Sequence, residues 1–300
     1  MSVIEKAGQG VLALPAKPTR RSSIAQSAEF RLEFGSLASQ GFYHPEARAS
    51  QLAQELRAVK RRLLRRIDFL RATGDGRAFH SPGRRRNIVM ITSARAGEGK
   101  TFSAANLALS LAIEDQIDTL LVDADLMRPK VRAHFGLPAG PGLTDAITSP
   151  ATELGSFCRR ATEASLTILP EGALVERATE LFAGEAARAF WTELSAAWGD
   201  GLILIDAPPV LAAAEAVILS KYADEIVFVV EANATPEPAV ASAIDELLDV
   251  NPNVSLMLNR CLIGSGGSHY GSYESYDRRD GAAEQTAHQR QKRGALHGAE

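Results

Sequence analysis

The chain has 300 residues, 45% hydrophobic and 23% charged, with a net charge of -3 at pH 7. That size and apolar content support one large or two small domains with a sizeable core, and the near-balanced charge argues against a nucleic-acid partner. Cys158 and Cys261 form no disulfide or metal-ligand pattern, no apolar run approaches the roughly 18–20 residues of a membrane helix, and no secretion signal opens the chain, so a cytoplasmic protein is expected.

Residues 1–47 mix Pro, Ser, Gly and charge without a sustained period and read as a flexible segment. From residue 48 to about 70 the spacing predicts a helix, with Leu52, Leu56, Val59, Leu63, Leu64 and Ile67 on one face. The other face carries Arg57, Lys60, Arg61, Arg62, Arg65 and Arg66 and reads as solvated, with contact to anionic lipid or a partner as the lesser alternative. A loop follows over 73–86. Strands are then expected at Asn87–Ser93, Thr119–Asp123, 166–170, 202–206, 225–230 and 254–259. Helices are expected from the loop after Ser93 to Glu114, from Glu176 to Trp198 as one amphipathic segment, and over 211–221 and 236–249. Strands alternating with helical patterns imply an α/β fold: a doubly wound, mostly parallel sheet with helices on both faces and flexible N- and C-terminal tails. The expected division is a flexible segment over 1–47, a catalytic P-loop domain over 48–263 and a tail over 264–300. Ligands in such sheets bind at the carboxyl ends of the strands.

The chemistry-bearing motifs fall at those ends. Ala94-Arg-Ala-Gly-Glu-Gly-Lys-Thr101 lies between a strand and a helix and reads as a phosphate-binding loop. Gly97 and Gly99 allow the tight turn that aims backbone N–H groups inward, and the helix that follows adds its positive N-terminus. Lys100 is placed to reach the β and γ phosphates and Thr101 to hold Mg2+, with Glu98 and Phe102 completing the nucleotide-binding stretch. Leu120-Leu-Val-Asp-Ala-Asp125 ends one strand with two carboxylates, and Leu202-Ile-Leu-Ile-Asp206 ends another with one. A lone Asp at a strand end is usually a turn former or cap; three beside a phosphate loop match the needs of phosphoryl transfer, which are metal neutralisation and an oriented nucleophile. Beyond the last strand, three of the five tyrosines, Tyr270, Tyr273 and Tyr276, are spaced among Gly and Ser where no core can form. Either they are inert residues of a low-complexity tail or they are reachable hydroxyls that a nucleotide site upstream modifies.

With these stretches in view, the chain resembles the bacterial tyrosine autokinases (BY-kinases) of exopolysaccharide and capsule synthesis. The matching segments are Ser93–Thr101, Val122-Asp-Ala-Asp-Leu-Met-Arg-Pro129, Gly142-Leu-Thr-Asp145, Leu169-Pro-Glu-Gly172, Ile205-Asp-Ala-Pro-Pro-Val210 and the tyrosine tail, together covering about residues 50–276. The resemblance implies an ATP- and Mg2+-dependent kinase that phosphorylates Tyr270, Tyr273 and Tyr276. Lys100 and Thr101 would bind phosphate and Mg2+, Asp123 would be the base toward tyrosine, Asp125 and Asp206 would organise the metal and its water, and Asn259 stands where related ATPases recognise adenine. It also implies a homo-oligomer, an activating membrane polysaccharide co-polymerase that recruits the chain to the inner face of the plasma membrane, and an opposing tyrosine phosphatase. Four positions depart from related patterns. Met127 replaces an Arg common in the family, and the subunit-contact pattern Glu-x-x-Arg-x-x-Arg reads Gln54-x-x-Arg57-x-x-Lys60. Arg95 occupies the place of the signature lysine of partitioning ATPases; it is read as facing solvent, with contact to a neighbour's phosphate as the lesser alternative. Two other readings stand beside the kinase: a dimerising switch ATPase of the partitioning type, disfavoured by that missing lysine, and a non-catalytic nucleotide-binding adaptor of the co-polymerase, disfavoured by the intact carboxylates.

Overall fold

Eight strands form one sheet among the described residues, 26–73 and 86–261 of a computed structural model. They are β1 (Ala28–Phe30), β2 (Ile88–Ser93), β3 (Thr119–Asp123), β4 (Arg159–Ala161), β5 (Leu166–Leu169), β6 (Leu202–Asp206), β7 (Glu225–Glu231) and β8 (Val254–Asn259), in the order β1-β4-β5-β3-β6-β2-β7-β8. The six strands from β5 to β8 in that order are mutually parallel. The β4 strand runs antiparallel to β5, and β1 pairs parallel with β4, so this edge runs opposite to the rest. Strands β2, β3 and β6 are buried along their whole length, as a sheet covered on both faces requires.

Successive side chains of a strand point to opposite faces, and the core divides accordingly. Ile88, Met90, Leu120, Val122, Ile203 and Ile205 pack on one face with α6 (Ala178–Ala183) and α7 (Glu185–Trp198), whose Phe182, Phe190, Trp191, Leu194 and Trp198 are buried. Val89, Ile91, Leu121 and Leu204 pack on the other face against α2 (Gln51–Thr73) and α3 (Lys100–Glu114). Short helices α1 (Phe34–Ser39), α4 (Val131–His134), α5 (Leu143–Thr148) and α8 (Ala214–Ser220), with the longer α9 (Glu237–Leu248), complete the layers. No helix among the described residues is long and apolar enough to cross a membrane.

Three expectations are corrected. Residues 26–47 are folded: β1 joins the sheet edge, and Phe42 and Tyr43 are buried. Glu163 holds this segment by accepting the Leu32 N–H at 2.9 Å, and the Tyr43 N–H donates to Asn106 Oδ1 at 2.7 Å. Burial of bulky aromatics, which needs no period, ties down a stretch that composition marks as loose. The single helix expected over 176–198 is two, because extended backbone at Gly184 separates α6 from α7. The basic face of α2 is only partly solvated. Lys60 is 3% exposed, its ammonium 2.7 Å from Glu114 Oε2 and 2.6 Å from Asp115 Oδ2. Arg57 pairs with Glu114 at 3.0 Å and Arg66 with Glu225 at 3.1 Å, while Arg61, Arg62 and Arg65 stay exposed. The helix crosses the end of α3, where Glu114 and Asp115 lie, and reaches Glu225 at the start of β7. Tyr270, Tyr273 and Tyr276, like all of 264–300, lie outside the described residues.

Candidate active site

The loop between β2 and α3 turns through two left-handed glycines, Gly97 (φ 95°) and Gly99 (φ 92°), a backbone region that side chains disfavour. Helix α3 begins at Lys100 with no side-chain cap and no acidic residue in its first turn. Its leading N–H groups therefore keep their hydrogen-bonding capacity, and with the helix dipole they form an anion site. The loop is braced from three sides. Glu98, only 4% exposed, accepts the Arg95 N–H at 2.8 Å and the Thr235 hydroxyl at 2.7 Å. From the end of β8, Asn259 Nδ2 donates to the Glu98 carbonyl at 2.9 Å. The contact is so close that a Cβ on Gly99 would lie 2.1 Å from that nitrogen. After β6, the N–H groups of Val210 and Leu211 donate to the carbonyls of Ser93 and Ala94 at 2.8 and 3.2 Å.

The topology brings the three aspartates to this loop. Adjacent β3 and β6 place Asp123 opposite Asp206, and both are fully buried. Lys100 Nζ sits 2.6 Å from Asp125 Oδ2, 3.3 Å from Asp206 Oδ1 and 3.3 Å from Thr101 Oγ1. Burial alone would weaken the Lys100 charge, but Asp206 and Asp125 outweigh it and hold the ammonium above its ordinary pKa. Burial raises the Asp206 carboxyl, against the opposing pull of Lys100. Asp123 is raised well above the carboxylate range by burial and by the neighbouring charge of Asp206. It is held in place by backbone amides: Oδ2 accepts from Lys130 and Val131 at 3.1 and 3.0 Å, and Oδ1 from Asp125 at 3.2 Å. Burial and the Asp206 charge make this fixed carboxyl a stronger proton acceptor than a free one.

Other positions fall differently. The Phe102 ring points away from the loop and packs on Phe42, their centroids 5.1 Å apart. Arg95 faces solvent, and Met127 is 75% exposed. Two further residues at the site were given no role from sequence. Thr235, after β7, braces Glu98, and no local pattern marks it. Glu171, after β5, is clamped by Arg132 Nε at 2.7 Å and adds to the negative field on Asp123. Its signal was present in the Leu169–Gly172 motif.

The donor set suits Mg2+. Thr101, Asp125 and Asp206 offer only oxygen, and Asp206 Oδ2 is buried with no hydrogen-bond partner. No group of three His, Cys, Asp or Glu that would enclose a metal occurs among the described residues. Mg2+ commonly keeps waters and substrate phosphates in its shell, so a partial protein site is what it requires.

No family model matches the chain. The tyrosine-protein kinase YwqD of Bacillus subtilis is 32% identical over 202 residues, which are 67% of this chain and 82% of YwqD. This chain belongs to the bacterial tyrosine-protein kinases. The kinase is also similar to the tyrosine-protein kinase CpsD of Streptococcus agalactiae, at 28% identity over 66% of this chain and 85% of CpsD. The tyrosine-protein kinase ptk of Acinetobacter johnsonii is 29% identical, but the match spans only 21% of that protein. Among solved structures, the VpsO kinase domain superimposes with a TM-score of 0.54 at 30% identity, covering 68% of this chain and 98% of VpsO's. The chimerical protein CapA2B2, with a TM-score of 0.59 at 22% identity over 80% of this chain and 97% of its own, shares the fold.

Proposed function

We propose that this kinase transfers the γ-phosphoryl group of ATP to its own Tyr270, Tyr273 and Tyr276, between subunits of a homo-oligomer, and thereby regulates exopolysaccharide synthesis and export. The observation that carries this reading is the buried Lys100–Asp125–Asp206 cluster at the mouth of an uncapped helix N-terminus. In the proposed ground state the amides of Gly97, Glu98, Gly99 and Thr101 hold the phosphates. Lys100 leaves its carboxylates for the β and γ oxygens, where its charge opposes the charge that develops in transfer. Bound Mg2+ would be held by Thr101, Asp125 and Asp206 and would supply neutralisation of phosphate charge. Asp123 accepts the tyrosine Oη proton as the Oη–P bond forms and the bond from the γ phosphorus to the bridging oxygen breaks, releasing ADP. Asn259 spends its Nδ2 on Glu98 and keeps Oδ1 for the adenine amino group. The catalytic domain extends to about residue 263, and 264–300 is the substrate tail. A membrane polysaccharide co-polymerase activates the kinase and recruits it to the inner face of the membrane, and a tyrosine phosphatase reverses the modification.

Incubation of the purified chain with γ-labelled ATP and Mg2+ tests the chemistry; absence of phosphotyrosine refutes it. Mixing a Lys100→Ala chain with one whose three tail tyrosines are Phe tests the direction. Label on the inactive chain's tail is expected, and an unmodified tail would place transfer in cis. Stimulation by the cytoplasmic ends of the co-polymerase is expected, and full activity without any response would contradict the partner.

A further inference from the structure

The charge cluster that fastens α2 to α3 opens onto a cavity of about 570 Å3. Its lining includes Glu114, at the opposite end of α3 from Lys100. The helix is 15 residues long, and at ~1.5 Å per residue its two ends lie roughly 20 Å apart. The cavity is therefore not part of the nucleotide site. Its acidic floor is already satisfied: Glu114 and Asp115 share Lys60, Glu114 also pairs with Arg57, and the Tyr43 hydroxyl donates to Glu114 at 2.9 Å. Burial alone would raise the Glu114 carboxyl, yet the hydrogen bonds from Lys60, Tyr43 and Arg57 bring it down to about 2, so the floor stays ionised and engaged. Arg57 at the mouth is engaged by Glu114, but two other cations there have no such partner. Arg48 and Arg61 are exposed and have no carboxylate partner among the described residues, and the Arg57 side chain is 41% exposed. Leu64 supplies an apolar wall beside them.

Guanidinium groups around an apolar wall, in a concavity of this size, complement one side-chain chemistry: an aromatic ring bearing a phosphate dianion. We propose that this cavity is a phosphotyrosine-binding site. Its occupant is a phosphorylated tyrosine segment from a second copy of this chain, whose sequence offers Tyr270, Tyr273 and Tyr276 within seven residues. The choice of occupant rests on the autokinase reading; the chemistry of the cavity does not. The concave shape and the Leu64 wall favour a side chain over a flat anionic membrane.

The test uses the dephosphorylated full-length chain and a labelled synthetic peptide of residues 266–278, with its tyrosines phosphorylated, unmodified, or replaced by Glu. Fluorescence anisotropy is expected to show the phosphopeptide binding at least about tenfold tighter than either other form, as charge-assisted guanidinium–phosphate bonds allow. Arg61→Glu and Arg48→Ala should each weaken phosphopeptide binding about tenfold, while Arg62→Glu, on the same helix but outside the cavity lining, should not. Excess non-hydrolysable ATP analogue with Mg2+, which cannot phosphorylate the tail, should leave the affinity unchanged. Equal binding of the Glu peptide, equal losses from Arg61→Glu and Arg62→Glu, or displacement by the non-hydrolysable analogue would each overturn the proposal. So would binding of phosphatidylglycerol vesicles, but not phosphopeptide, in an Arg61-dependent manner. Because the peptide is synthetic, failure here is distinct from failure of autophosphorylation, which the phosphotyrosine assay reads separately.

Discussion

Replacing Lys100 by Met probes the site as a physical object, apart from its activity. At 2.6 and 3.3 Å the ammonium faces Asp125 and Asp206, themselves 3% and 0% exposed. With an effective dielectric of about 20, those separations correspond to attractions of about 6 and about 5 kcal/mol. Desolvation of three buried charges offsets much of this, and removing one partner of a buried pair typically costs about 3–5 kcal/mol, because the remaining charge is left uncompensated. Urea unfolding without nucleotide at pH 7 should show a loss of that size. The pH dependence carries the sign. In the wild type, the raised Lys100 pKa stabilises the fold fully below the ordinary ammonium value of 10.5 and loses that contribution as pH climbs through the folded value. The variant lacks that term, and its Asp206, raised by burial and no longer opposed by Lys100, is relieved by protonation, so its deficit should shrink between pH 7 and pH 5. Lys100→Met/Asp206→Asn, which removes one uncompensated charge, should recover at least about 1 kcal/mol over the single variant. Phosphorylation should be lost in both. A deficit under about 1 kcal/mol, or one equal at both pH values, would refute the claim that Lys100 neutralises this pair.

Three further outcomes follow from the geometry. If Asp123 is the base proposed above, Asp123→Asn should lower phosphorylation about 100-fold or more with ATP affinity changed only about threefold, by equilibrium binding, because a base acts on the hydroxyl and not on the nucleotide; loss of ATP binding would make its role structural. Gly99→Ala should weaken ATP binding at least about tenfold, and Asn259→Ala should fail to restore it, because removing the 2.1 Å clash leaves the φ of 92° still strained. Glu114→Gln should cost about 2 kcal/mol in urea unfolding at pH 7. Glu114 has a depressed carboxyl, so the stability it contributes is present above the ordinary value of 4.5 and is lost as pH falls toward about 2, and the variant's deficit should fade over that interval.

What was legible in the sequence depended on whether the information was local. The phosphate loop is a contiguous arrangement of glycines, Lys100 and a helix start, and each central strand is a continuous apolar run, so both could be read without knowing what lies beside them. That Asp125 and Asp206 meet Lys100, with Asp123 opposite Asp206, followed from the rule that parallel α/β sheets collect their chemistry at strand ends. The register of Asp123 against Asp206 is what makes it literal. Apart from the local break at Gly184, the misreadings are non-local. Residues 26–47 lack a period, but Phe42 and Tyr43 find hydrophobic partners, including Phe102, whose position in the nucleotide motif had suggested another use. Lys60 looked like one more cation on a solvated face until α3 delivered two carboxylates to it. Thr235 became a brace for Glu98 only because β7 lies beside β2, a neighbour relation that no spacing encodes. In each case the residue type was compatible with both readings, and the deciding term was the free energy of a partner more than 40 positions away. A charged or aromatic side chain on an apparently loose or solvated stretch therefore carries little meaning until the sheet order is known; once it is, Lys60 and its neighbours mark a second charged cavity as clearly as the glycines mark the first.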